Sequence, residues 1–462
     1  MKTLQVKHKW FKESGERLDA SYYLSDGPLT KFKLQNSPYP MTTLENESKD
    51  IFSGNIFKRS YVKSEEYGWP YITGSNMIKS DINGGKYVSK KYTKQKDKLA
   101  LEKGWILITC SGTLGNTVFT NQEFEGRVAT HDLIRVIPKK NNLLPGYIYS
   151  YLTSKYGNGL LTQSSYGGVV KHIEPHHIEK LPIPIFPTEL QQEIDELINE
   201  VANLRDDSIK LFRESTLMIE KEMDKIYGNR CNERNIIKVS SILNNYQKRI
   251  DSPAFINDGI VYLNSLSNKG ALIKSLKELK VKVTRPGIFK RIKVEKKYGL
   301  PYIKGSELSR VNPFSKCEYL SKSKTPFIEE QSLKENQILL TCAGTVGDTK
   351  LISKEYEEMK ALGSQDIIRI EARNSEIDPM YLYAYLNVPI VQNYIQSLKY
   401  GSVIERVEPF HIDTVPVFLP ESEIIQTISE KIEKFKNYRY LAFQKEQKAI
   451  ELVEKEIEQW QK

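Results

Sequence analysis

Four cysteines, at 110, 231, 317 and 342, are all that a chain of 462 residues contains, and no two form a Cys-x-x-Cys pair. That excludes a disulfide-stapled scaffold and a thiolate zinc module, and it suits reduced thiols in the cytoplasm. Apolar runs of the ~18 residues that a membrane span needs are also missing, and the opening MKTLQVKHKW has no apolar signal core. A cytoplasmic chain without a membrane anchor is expected. No GxxxxGK[ST] phosphate loop occurs, so an ATP-driven motor is not expected in this chain. The stretch NSPY at Asn36 is at best an incomplete amino-methyltransferase motif, and no Gly-rich cofactor loop precedes it. NPF at Asn312 is no closer. No catalytic residue is assigned.

What the chain does have is a net charge of +10, unevenly placed. Residues 188–226 hold eleven acidic side chains against five basic, and residues 421–462 hold nine against eight. The remainder is therefore more basic than the whole, which favours a polyanionic partner such as nucleic acid on those parts.

The chain also nearly repeats itself. LITCSGTLGNT from Leu107 recurs as LLTCAGTVGDT from Leu339. ERLDASYY with Arg17 and Asp19 matches KRIDSPAF with Arg249 and Asp251, and IFKR recurs from Ile56 to Ile288. YGWPYITGS at Tyr67 matches YGLPYIKGS at Tyr298, and THDLIRVI at Thr130 matches SQDIIRIE at Ser364. YGGVVKHIEPHHI at Tyr166 matches YGSVIERVEPFHI at Tyr400. The offset stays within 231–234 residues throughout. Collinear matches of this kind mark a tandem duplication and predict two similar globular units related by pseudo-symmetry.

Each unit exits through spaced prolines, EKLPIPIFP and DTVPVFLP, which forbid a helix. A heptad-like stretch follows each exit. Leu190, Ile194, Leu197, Val201 and Leu204 alternate by four and three; the register slips near Ser208 and resumes at Ile219, Met223 and Ile226. Ile424, Ile428, Ile432, Phe435, Ala442, Val453 and Trp460 run in a similar way. About 40 residues at ~1.5 Å each give a helix of roughly 60 Å, too long for one small unit to bury, so the two helices are expected to pack on each other. Thr188 with Gln191 reads as a capping box. LPGYIYSYLTSKYGNGLL (144–161) and DPMYLYAYLNVPIVQNYIQSL (378–398) read as matching amphipathic helices with their tyrosines toward a core.

Units of this length, each with PYI-x-GS, a TC-x-GT-x-G turn, YG-x-V…EP-x-HI, a Pro-rich exit and a long helix, resemble the specificity subunit of a Type I restriction–modification system. The resemblance covers essentially the whole chain and lies in the order of parts. It implies an α+β fold: two tandem mixed α/β target recognition domains, 1–187 and 231–420, with spacer helices at 188–230 and 421–462 forming an antiparallel coiled coil. It further implies that each domain reads one half of a bipartite duplex DNA target. The helices would set the gap and dock modification (methyltransferase) subunits, expected in two copies, and restriction (motor–nuclease) subunits would join the complex. S-adenosylmethionine, ATP and magnesium are expected on those partners, and no cofactor on this chain. A specificity subunit of a Type II-like system is the alternative; a stand-alone nucleotide- or cofactor-binding enzyme is the more distant one.

Base-reading residues should differ between the units, whereas shared residues should be scaffold. The turn glycines Gly112, Gly115, Gly344 and Gly347, and Asp132 and Asp366, are shared and read as scaffold. The divergent stretches 76–94 and 307–324 are polar, basic and aromatic. Candidate DNA contacts in the first unit are Lys58, Arg59, Ser75, Asn76, Lys79, Lys90, Lys91, Thr113, Lys171 and His172. In the second they are Lys290, Arg291, Ser306, Arg310, Lys322, Thr345, Ser402 and Arg406. His172, Glu174, His176 and His177 resemble a metal cluster, but the second copy keeps only His411 of the histidines, so no metal site is assigned. Cys110 and Cys342 read as small buried hydrophobes.

Overall fold

A computed structural model describes residues 5–13, 16, 18, 20–24, 26–82, 85–94, 96–139, 141–163, 172–228, 239–240, 255 and 257–460. Lys171, Cys231 and the landmarks Arg17, Asp19, Arg249, Asp251 and 166–170 lie outside the described residues. The chain divides into two compact units, Met1–Asp206 with Leu441–Lys462, and Asp207–Tyr440. Among the described residues no helix is long and apolar enough to cross a membrane.

The first unit carries β1 (Met41–Thr43), β2 (Ser48–Ser53), β3 (Tyr61–Val62), β4 (Gly68–Ile72) and β5 (Tyr87–Ser89). It continues with β6 (Ile106–Thr109), β7 (Thr117–Phe119), β8 (Val128–Ala129), β9 (Leu133–Pro138) and β10 (Pro182–Pro184). These form one sheet in the order β2-β9-β6-β7, a second in the order β3-β5-β4-β8, and a β1-β10 ladder. The apolar run Ile106–Ile108 is fully buried because the β6 strand is central in its sheet and covered on both faces.

The second unit contains β11 (Ile273–Ser275), β12 (Lys282–Thr284), β13 (Gly299–Ile303), β14 (Glu318–Ser321) and β15 (Ile338–Thr341). It closes with β16 (Thr349–Leu351), β17 (Leu362–Gly363), β18 (Ile367–Glu371) and β19 (Pro416–Phe418). Its sheets run β12-β18-β15-β16 and β14-β13-β17, with a β11-β19 ladder. Register repeats with topology: Thr109 pairs with Leu133 as Thr341 pairs with Ile367, and Ile72 runs parallel to Ala129 as Ile303 does to Gly363. The duplication read from sequence is thus a duplication of fold, and each unit is a mixed helix–sheet domain.

Each expected tyrosine helix is two. Pro145–Thr153 ends before Ser154, which is extended, and Lys155–Gln163 follows. Pro379–Leu386 gives way to Pro389–Ser397, because Pro389 cannot continue a helix and holds Val388 extended. The tyrosines do face the core. Tyr147 and Tyr151 donate to the Pro184 and Pro182 carbonyls at 2.6 and 2.8 Å, and Tyr381 and Tyr385 do the same for Phe418 and Pro416, both at 2.6 Å.

The long helices span Thr188–Tyr227 and Ser422–Gln459 and run antiparallel. In the first unit Glu193 meets Lys448 at 2.8 Å and Arg205 meets Glu446 at 2.9 Å. In the second unit Glu214 meets Lys431 at 2.6 Å, and the Phe212 and Phe435 rings lie 5.4 Å apart. Ile194, Leu197 and Val453 are buried with the core of the first unit, and Leu190 packs against it half-buried. Ile428, Ile432 and Phe435 are buried with that of the second, where Ile424 packs at the margin. Val201 is buried and Leu204 half-buried. The helices therefore pack on the domain cores as well as on each other, which the length argument did not anticipate. Ser208 and Ser215, where the heptad pattern slips, are fully buried small residues.

The expected Thr188 capping box does not form, because the helix already begins at Thr188 and the Gln191 amide donates to the Pro187 carbonyl at 3.1 Å. The buried Gln191 side chain instead receives the Leu144 amide at 3.1 Å and donates to the Phe186 carbonyl at 2.8 Å.

Candidate nucleic-acid interface

Parallel pairing of β4 with β8 puts the C-terminal ends of both strands on one side of the first unit. Ser75 and Asn76 follow one end, in the short helix Gly74–Met77, and Thr130–Asp132 follow the other. The β6 strand ends on the same side, because Thr109 pairs with Leu133, the first residue of β9. A Cβ on Gly74 would sit 3.3 Å from the Thr109 side chain, so the helix start and the glycine turn abut. His172 joins them through an antiparallel bridge to Ser111.

The second unit repeats this edge. Ser306 follows β13 in the helix Gly305–Leu308, Ser364–Asp366 follow β17, and Thr345 lies in the turn after β15. A Cβ on Gly305 would likewise sit 3.3 Å from the Thr341 side chain, and Ala343 bridges Arg406. The structure thus brings Ser75, Asn76, Thr113 and His172 together in one unit, and Ser306, Thr345, Ser402 and Arg406 in the other.

The turn is held from inside. Gly112 and Gly115 have φ of +68° and +71°, and Gly344 and Gly347 +77° and +99°, conformations that suit glycine. Thr109 Oγ1 donates to the Thr113 carbonyl at 2.6 Å, and Thr341 makes the same bond to Thr345. Asn158 donates to the Gly115 carbonyl at 2.5 Å, and Gln392 to that of Gly347 at 3.0 Å. Inward carbonyls leave Gly112, Thr113, Gly344 and Thr345 exposed at the tip.

Arg59 reaches the first edge, 3.8 Å from Asp132 and 3.3 Å from His131 Nδ1. Asp132 also lies 3.4 Å from His131 Nε2. Asn76 is committed to capping: its Oδ1 accepts from Thr73, while Ser75 stays exposed. Lys79 follows that helix, its amide donating to the Asn76 carbonyl at 2.9 Å; the Arg310 amide likewise donates to Glu307 at 3.0 Å. Lys58 is exposed beside Arg59.

Other candidates fall elsewhere. Lys90 and Lys91 follow Ser89, which pairs with Gly68, the opposite end of β4 from Ser75. Lys90 lies over the Trp69 ring at 4.9 Å and Lys91 over Tyr92 at 5.5 Å. Lys322 follows Ser321, paired with Gly299, and the Lys293–Leu320 bridge puts Lys290 and Arg291 on that same side. These cations sit roughly 15 Å along the strand from the turn edge.

The histidine segment is a cap. The Glu174 amide donates to His177 Nδ1 at 2.9 Å, and the Glu408 amide to His411 Nδ1 at 3.1 Å. His176 Nδ1 lies 3.4 Å from Glu174. In the second unit Glu408 also takes Arg285 at 3.1 Å and the Tyr400 hydroxyl at 2.9 Å. Burial, and then the Asp132 charge, push the Cys110 thiol up to about 11, and burial raises Cys342 as well. Both are protonated near neutral pH and poor nucleophiles.

Sequence reasoning missed Arg135 and Arg369. Both are buried in the β9 and β18 strands, beneath the edge. Arg135 donates to the carbonyls of Leu133 at 2.9 Å and of Leu99, Ala129 and Thr130 at 3.3 Å. Arg369 donates to Gln331 and Gly363 at 3.1 Å. Burial lowers each to about 10, so both stay charged at neutral pH and tie the β8 and β17 strand ends to their neighbours. The signal was present: an arginine within an apolar strand, in both copies.

The family model described as Type I restriction modification DNA specificity domain matches residues 46–211 and again residues 268–452. No curated protein matches the sequence. The chain is similar to the solved S subunit of a Type I restriction-modification system from M. genitalium, at 13% identity and TM-score 0.36, covering 90% of this chain and 96% of that one. It is also similar to the HsdS subunit from Thermoanaerobacter tengcongensis, at 11% identity and TM-score 0.28, covering 91% and 96%. A chain from a structure of complex assembly in the type I R-M system gives 12% identity, TM-score 0.27, and 91% and 96% coverage. Matched twice along most of its length, the chain belongs to the Type I restriction modification DNA specificity domain family.

Proposed function

We propose that each unit binds one half of a bipartite duplex target through its strand-end edge. The observation that carries this is the recurrence of one edge, built from the same turn, short helix and bridge, with different outward side chains. His131 and His172 stand on it in one unit where Gln365 and Arg406 stand in the other, while Ser75 and Ser306 are common to both. Common scaffold with divergent tips suits two modules that read unlike half-sites. The off-edge cations Lys90, Lys91, Lys290, Arg291 and Lys322 serve phosphates rather than bases.

The antiparallel helices set the gap between half-sites and dock modification (methyltransferase) subunits, two per chain, which restriction subunits join. This chain recognises and positions, in the cytoplasm, without catalysis. S-adenosylmethionine, ATP and magnesium belong to the partners. The test is co-purification with a co-expressed methyltransferase subunit, followed by selection from a randomised duplex library. A stable complex that enriches a split motif supports the reading; a chain that retains neither subunit nor duplex overturns it.

A further inference from the structure

The loop after Tyr400 presents two branched apolar side chains to solvent: Val403 is 93% exposed and Ile404 55%. Its base is closed. The Tyr400 amide donates to the Arg406 carbonyl at 3.0 Å, and the Arg406 amide returns the bond at 2.9 Å. Gly401, at φ +97°, makes the bend, and a Cβ there would meet the Ile404 carbonyl at 2.7 Å. The Tyr400 hydroxyl donates to Glu408 at 2.9 Å, its ring lies 5.3 Å from His411, and Arg406 bridges Ala343 in the glycine turn. Val403 and Ile404 are thus held at a defined place on the candidate edge, and their branched Cβ atoms restrict them further.

A single exposed apolar residue needs no explanation. Here the other copy of the module carries Val169 and Val170 in the corresponding positions of YGGVVKH. Neighbouring positions have diverged, Gly168 to Ser402, Lys171 to Glu405 and His172 to Arg406, yet the apolar pair stands in both. Two side chains are too few for the core of a protein–protein interface. They suffice for an apolar wedge at a base step, a contact with base stacking that both copies can share while the base edges they read differ, and Thr345, Ser402 and Arg406 beside them suit phosphates.

We propose that Val403 and Ile404 form an apolar finger that contacts base surfaces of the duplex. This rests on the DNA-binding reading above. The test uses the full chain with Val403→Ser and Ile404→Ser together, a duplex enriched by the unchanged chain, and a scrambled duplex of equal length. Roughly tenfold or greater weakening is expected on the enriched duplex, with about twofold or less on the scrambled one and an unchanged salt slope. Unchanged affinity for both duplexes, or equal weakening on both, overturns the finger alone. Loss of methyltransferase co-purification without loss of DNA affinity also overturns it, in favour of a protein contact. If the unchanged chain enriches no duplex, the DNA-binding reading falls and the finger with it.

Discussion

Arg406 bridges Ala343 at the start of the second glycine turn, and His172 bridges Ser111 at the start of the first. The shared bridge fixes a cationic or titratable side chain beside each turn, while its identity differs. Scaffold and candidate code therefore separate at one backbone contact.

The buried triad of Arg205, Glu446 and Tyr149 should be a weak point of the first unit. Tyr149 donates to Glu446 at 2.7 Å, and Glu446 is 3% exposed. Glu446→Ala removes the carboxylate from a largely buried guanidinium and from the buried Tyr149 hydroxyl, and should cost about 3–5 kcal/mol. Arg205→Met with Glu446→Leu should recover most of it. Urea melts of the full chain check both.

Arg135→Met should destabilise the first unit by about 2–4 kcal/mol, because four carbonyls lose a buried donor. Arg135→Lys should not rescue, since a single ammonium cannot span carbonyls on separate segments. Far-UV circular dichroism during denaturation measures this, and binding to an enriched duplex should weaken alongside.

The glycines of each turn should rank. A Cβ on Gly344 meets nothing within 4 Å, so Gly344→Ala should cost only the left-handed backbone penalty, about 1–2 kcal/mol. A Cβ on Gly347 would lie 2.8 Å from the Gln392 and Gln396 side chains, which bond the turn carbonyls. Gly347→Ala should therefore lower Tm further than Gly344→Ala. Equal Tm values would contradict the turn's inner bracing.

Lys350 carries a pH signature. Burial, reinforced by Arg439, pushes its ammonium down to about 7, well below its ordinary value of 10.5. Unfolding then takes up a proton between those limits, so wild-type stability should rise as pH rises through them. Lys350→Met should raise Tm most below about pH 7, with the gain fading towards about pH 10. Thermal scans at several pH values check the slope; a gain constant with pH contradicts the assignment.

The duplication was legible because it preserved residue identities, and with it went topology, strand register and the turn. The long helices were legible from spaced apolar residues, and Ile194, Leu197, Ile428 and Ile432 are buried accordingly. The break at Ser154 lay inside a stretch that reads as one helix, whereas the break at Val388 was signalled by Pro389 and passed over. Gln191 satisfied the capping pattern, but tertiary bonds to Leu144 and Phe186 claimed its side chain. The candidate interface was only partly legible. Sequence marks Lys90, Lys91 and Lys322 as basic and near landmarks, but antiparallel pairing decides on which end of a strand a loop falls. Arg135 and Arg369 were passed over because their role lies in carbonyls contributed by distant segments.

The central claim is that each unit reads its own half of a split target. Selection from a randomised duplex library, run with the unchanged full chain and with His131→Ala plus His172→Ala, tests it most directly. The account predicts two half-sites at one fixed spacing, with information lost from only one of them in the variant. A single contiguous motif, or equal loss from both halves, would contradict it.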